Sequence, residues 1–84
     1  MSDRNALVSE IAERIEQYLT QRPEAADTVE GIRRWWLSSL IGVDTTTVLA
    51  ALLELEARGI VVRTEREGLA TVFASSLRRR GLVH

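Results

Sequence analysis

Residues 37–62 read LSSLIGVDTTTVLAALLELEARGIVV, and the apolar pattern in this stretch breaks once and then changes its period. Gly42 interrupts the first pattern with a residue free to adopt a left-handed turn. Asp44 follows as a helix N-cap, its carboxylate able to accept the orphan amides of a new first turn. Val48, Leu52 and Leu55 then recur at steps of four and three, which predicts a helix from Thr45 to about Arg58 with these residues facing inward and Gly59 as its C-cap. Past Gly59 the period falls from 3.6 to 2. Ile60-Val61-Val62-Arg63-Thr64-Glu65 is β-branched and reads as a strand, Arg66-Glu67-Gly68 as a tight turn, and Leu69 to Ala74 as the returning strand.

Two further helices are expected upstream. Leu7, Val8, Ile11, Ile15, Tyr18 and Leu19 recur at steps of three and four opposite Glu10, Glu13, Arg14, Glu16 and Gln17, an amphipathic helix over Asp3 to Gln21 that Pro23 closes. Asp27-Thr28-Val29-Glu30 places an N-cap acid three residues before a glutamate, the pattern of a capping box, so the second helix starts near Thr28. Val29, Ile32, Trp36 and Leu40 share its core side, and Trp35 projects about 100° away from Trp36.

Composition bounds the chemistry. A chain of 84 residues buries only ~60–65% of its unfolded surface and supports one core. Zero cysteines and a single histidine, His84, exclude zinc ligation, thiol catalysis and a disulfide scaffold. No apolar run reaches the ~18 residues that span a bilayer, and the N-terminal MSDRNALVSE has neither a basic region nor an apolar core of a signal peptide, so a cytoplasmic location is expected. The net charge of −1 is uneven: residues 1–30 hold three arginines against seven acids, and residues 31–84 hold eight against five. All eleven cations are arginine, a bias that genome base composition alone can produce.

The segment Leu37-Ser38-Ser39-Leu40-Ile41-Gly42-Val43-Asp44 resembles the end of the first helix, the glycine turn and the capped start of the second helix in a helix-turn-helix. The spacing from Val43 through Val48, Leu52 and Leu55-Glu56 to Gly59-Ile60-Val61 is similar to that between turn, recognition helix and wing in bacterial winged-helix regulators of the MarR and related families. The resemblance covers residues 28–74. It implies a mainly α fold with a small β-hairpin, a three-helix winged helix forming a single domain over residues 1–75, with a basic C-terminal tail over 76–84. It also implies a binding module, because the same fold pattern occurs in proteins that bind DNA, RNA or other proteins.

Two partner classes stay open at this point. With Val48, Leu52 and Leu55 inward, the outward side of the third helix carries Thr45, Thr46, Leu49, Ala50 and Leu53, with Glu54 and Glu56 toward an edge. That face has neither the basic residues nor the amides that commonly read DNA. The nucleic-acid candidates are therefore phosphate contacts: Arg33 and Arg34 on the second helix, Thr45 and Thr46, Arg63 and Arg66 on the wing, and Arg78, Arg79 and Arg80 in the tail. Arg63 and Arg66 read more readily as a solvated hairpin pairing across strands with glutamates, and the tail arginines equally as a solubilising tail or an electrostatic anchor.

The protein-interaction candidates are Trp35, Leu49, Ala50 and Leu53, an apolar face for a partner protein or a second copy of the chain. A rotation of the helix by one position would instead bury Leu49 and Leu53, and a homodimer through the first helix would leave the third free. No catalytic constellation, cofactor loop, metal cluster or small-molecule site is legible, and Glu10, Glu13 and Glu16 read as a solvated face. A non-enzymatic protein-interaction module is the leading expectation, and a small DNA-binding transcriptional regulator is the alternative.

Overall fold

The computed structural model describes residues 3–38, 40, 42–65 and 67–76. The chain is mainly helical with a small antiparallel sheet. Helix α1, Asp3–Gln21, has the expected bounds. Its inward residues Ile11, Ile15 and Leu19 are buried, while Glu13, Arg14 and Gln17 lie in solvent. The amide of Arg22 still donates to the Tyr18 carbonyl at 2.8 Å, and Ala25 closes a turn onto the Arg22 carbonyl around Pro23 at 3.0 Å.

Strand β1, Ala26–Asp27, was not expected from its residues. It pairs antiparallel with β3, Val72–Ser75, through Ala26 opposite Ala74 and Asp27 opposite Phe73. Strand β2, Val61–Thr64, pairs with the other side of β3, so the predicted hairpin is part of a three-stranded sheet of order β1-β3-β2. The hairpin connection is longer than the tight turn expected at Arg66-Glu67-Gly68: the second strand begins at Val72 rather than Leu69, with Gly68 at φ 81°. Ser76, expected to belong to the tail, is tied to the domain. Its amide donates to the Ile60 carbonyl at 2.9 Å and its hydroxyl to the Gly59 carbonyl at 2.7 Å.

Helix α2, Val29–Gly31, differs from expectation at both ends. Its N-cap is Thr28, whose Oγ1 accepts from the Gly31 amide at 3.1 Å; Asp27 stands one residue further out and accepts from the Thr28 amide at 2.8 Å. The helix continues as a π turn, Ile32–Trp36, in which the Leu37 amide donates to the Ile32 carbonyl five residues back at 3.1 Å. It stops there instead of running to Leu40. Residues five apart on an ordinary α-helix point about 140° apart, yet Ile32 and Leu37 are both fully buried. Widening the turn by one residue turns them toward the same side. Trp36 stacks on Tyr18 of α1 with ring centroids 4.6 Å apart and planes 8° from parallel.

Helix α3, Thr45–Ala57, is capped as its sequence requires. The Asp44 carboxylate accepts from the Thr47 amide at 2.9 Å. At the other end Gly59, at φ 77°, closes a Schellman motif: its amide donates to the Glu56 carbonyl at 3.0 Å and the Ile60 amide to the Leu55 carbonyl at 2.9 Å. Gly42, at φ 85°, makes the turn before the helix. The core lies between α1, α3 and the sheet, where Ile11, Ile15, Leu52, Leu55, Val61 and Phe73 are all buried. Each such side chain contributes roughly 1.5–3 kcal/mol relative to exposure. Among the described residues no helix is long and apolar enough to cross a membrane.

Candidate functional site

The side of α3 turned toward the core consists of Thr47, Val48, Ala51, Leu52 and Leu55. The opposite side is therefore fixed by helical geometry: Thr46, Ala50, Leu53 and Ala57, at steps of four, three and four, with Leu49 beside them. Leu49 and Leu53, one turn apart, are 39% and 43% exposed. The rotational phase deduced from the sequence is thus the one adopted, and the alternative that would bury both leucines is overturned. Ala57 extends the strip by a turn beyond the residues singled out from the sequence. No charged side chain interrupts it.

Charges flank the strip on both sides, and each is engaged within the molecule. Glu54 accepts from Arg58 at 3.4 Å, and Arg58 reaches across to Glu16 of α1 at 3.6 Å. Glu56 receives both the Nε and an Nη of Arg63, at 2.9 and 2.7 Å. Arg63 also donates to Glu65 at 3.3 Å and lies 5.5 Å from the centre of the Phe73 ring. Hydrogen bonds from Arg63 hold the Glu56 carboxyl below the usual glutamate range, and Glu56, then Glu65, raise the guanidinium pKa beyond its already high value.

This arrangement corrects the cross-strand pairing expected for Arg63: its main partner lies on α3, seven residues earlier in the chain. The abrupt reversal at Gly59 folds β2 back along the helix and brings Glu56 and Arg63 together. Their near-equal distance in sequence from Gly59 is the signal that could have revealed the pair.

The second cluster of candidate cations is similarly occupied. Arg33 donates through Nε to Glu30 at 3.3 Å and through Nη2 to its other oxygen, and Arg34 reaches the same carboxylate at 3.4 Å. The Arg33 hydrogen bond lowers the Glu30 pKa, and Glu30 raises that of Arg33 in turn. Arg34 remains largely exposed beside Trp35, which the π turn presents to solvent with 64% of its surface accessible. Thr45 and Thr46 are exposed at the start of α3. Arg66, Arg78, Arg79 and Arg80 lie outside the described residues.

The sequence expectations therefore resolve into one continuous strip on α3, a separate tryptophan on the π turn that follows α2, and arginines held by glutamates. The stacking of Tyr18 on Trp36 was not foreseen, because nothing in the periodicity of α1 singles out which residue meets the tryptophan. Among the described residues no three histidine, aspartate or glutamate side chains gather as a metal site. Comparison with family models, curated proteins and solved structures returns no match.

Proposed function

We propose that this chain is a non-enzymatic winged-helix module of the cytoplasm that uses the outward face of α3 to bind protein. Three helices followed by a β-hairpin, with a left-handed glycine before a capped α3 and another after it, support the winged-helix reading. The observation that carries the functional reading is the uncharged strip Thr46, Leu49, Ala50, Leu53 and Ala57 on the helix that would otherwise enter a DNA groove. A contiguous apolar strip between charged rims is the composition of an interface core, and tryptophan, as at Trp35, is enriched among interface hot spots.

A DNA-binding regulator is the second reading. Exposed Thr45 and Thr46 at the first turn of α3 favour it, since hydroxyls and amides at a helix start can meet a phosphate. Against it, Arg33 and Arg63 are each bonded twice to a glutamate, and a phosphate would have to displace those partners.

Titration of binding to mixed-sequence duplex DNA against salt separates the two. The interaction reading expects negligible binding at physiological salt. A log-log slope steeper than about −4, meaning several released counterions, would overturn it.

A further inference from the structure

We propose that the partner seated on α3 is a cationic amphipathic helix of another protein, its apolar side on the α3 strip and its lysines or arginines in the groove between α1 and α3; the proposal rests on the interaction reading above. The groove, of about 540 Å³, is walled by Glu10, Glu13 and Glu16 of α1 and by Glu54 and Arg58 of α3. Glu54 is one turn from both Ala50 and Ala57, so groove and strip share a border.

Charge selects the partner. Arg58 serves both Glu16 and Glu54, at 3.6 and 3.4 Å, and Glu10 touches Arg14 at 4.0 Å. On the other flank Arg63 serves both Glu56 and Glu65. Among the described residues Glu13 is exposed and has no ion-pair partner. The six glutamates bordering groove and strip are thus set against three arginines, Arg14, Arg58 and Arg63, an excess of three negative charges. A cationic segment meets complementary charge here, whereas an acidic segment or a phosphate backbone meets like charge.

The relief suits a helix. Leu49 and Leu53 form a ridge toward the Glu56 flank, and Ala50 and Ala57 a low shelf between that ridge and Glu54. A second helix laid on the shelf packs its apolar residues against the leucines and turns one flank toward the groove. There Glu10, Glu13 and Glu16 recur about 4.5 Å apart along α1, close to the rise between cations three or four positions apart on the partner. The strip is about 16 Å long, less than a standard interface requires, so the complex is a transient one.

The probe is a fluorescein-labelled peptide of about 18 residues, long enough to hold a helix, with leucines along one face and lysines along one flank. Fluorescence anisotropy with the full chain is expected to show it bound at least about tenfold more tightly than two controls. One control has every lysine replaced by glutamate; the other has the same composition scrambled. Glu10→Gln with Glu13→Gln is expected to weaken binding about fivefold, and Leu53→Ser about tenfold, each with the circular-dichroism spectrum unchanged.

No binding of the cationic peptide, equal binding of all three peptides, or an affinity unmoved by either set of substitutions would overturn the cationic helix. A tenfold or greater rise in affinity, roughly 1.4 kcal/mol, on replacing Arg78, Arg79 and Arg80 by glutamine would also overturn it, giving the groove to the chain's own C-terminal arginines. Self-association in sedimentation velocity that Leu53→Ser abolishes would give the strip to a second copy instead. Steeply salt-dependent duplex binding that survives Leu53→Ser would overturn the interaction reading beneath the proposal.

Discussion

Replacing Gly31 by alanine ordinarily stabilises a helix, and here the local packing reverses the sign. Gly31 has right-handed helical angles, φ −65° and ψ −40°, so an alanine fits its backbone and would contribute about 0.5–1 kcal/mol through helix propensity. The added Cβ, however, falls on the carboxylate of Asp27. That carboxylate holds the Thr28 amide at 2.8 Å, and its backbone is fixed in β1 opposite Phe73, so the side chain has little room to swing without releasing the bond. A half-buried hydrogen bond to a charged group is worth roughly 1.5–3 kcal/mol.

The loss outweighs the gain, and Gly31→Ala is expected to destabilise by about 0.5–2.5 kcal/mol. Urea unfolding followed by circular dichroism reads this as a lower midpoint at constant slope. The cycle with Asp27→Ala isolates the cause. In that background, where the clash is gone, Gly31→Ala should raise the midpoint. A rise of the same size in both backgrounds would refute the reasoning.

Neighbouring leucines on α3 should differ sharply in the same assay. Leu52→Ala, in the core, is expected to cost about 2–5 kcal/mol, whereas Leu53→Ala, 43% exposed, should cost under about 1 kcal/mol. Comparable losses at the two positions would contradict the orientation of the helix. The ion pairs predict the direction of an acid transition. The carboxyl pKa values of Glu30 and Glu56 are lowered by their arginine partners. Their contribution to stability is therefore complete above the ordinary glutamate value of 4.5 and is lost as pH falls through the depressed values. Arg63→Gln should remove the Glu56 share and flatten the acid limb of a stability–pH curve, while an unchanged limb would show that the pair contributes nothing to folding.

Features encoded by local chemistry were legible in the sequence. The period of α1, the Asp44 cap, the glycine that ends α3 and the outward phase of Leu49 and Leu53 all follow from residues within a turn or two of one another. Features decided by contacts distant in sequence were not. Ala26-Asp27 has no strand propensity and becomes β1 because β3 offers it a free edge. The spacing of Ile32 and Trp36 is compatible with α or π geometry, and the burial of Leu37 selects the wider turn. Arg63 finds Glu56 only once the chain has reversed at Gly59. The uncharged strip on α3 was visible as residue types, whereas the arginine partners of its flanking glutamates became visible only in the fold.

The π turn at Ile32–Trp36 also makes α2 a helix that carries one residue more than its ladder needs. Removing a residue inside α1 or α3 would rotate everything beyond it by about 100° and exchange core for surface. Removing one within this turn instead restores ordinary i→i−4 bonding while Ile32 and Leu37 keep facing the same side. The surplus can be discarded without repacking the domain, so the chain is expected to tolerate a one-residue deletion in this turn where the same deletion inside α1 or α3 would unfold it.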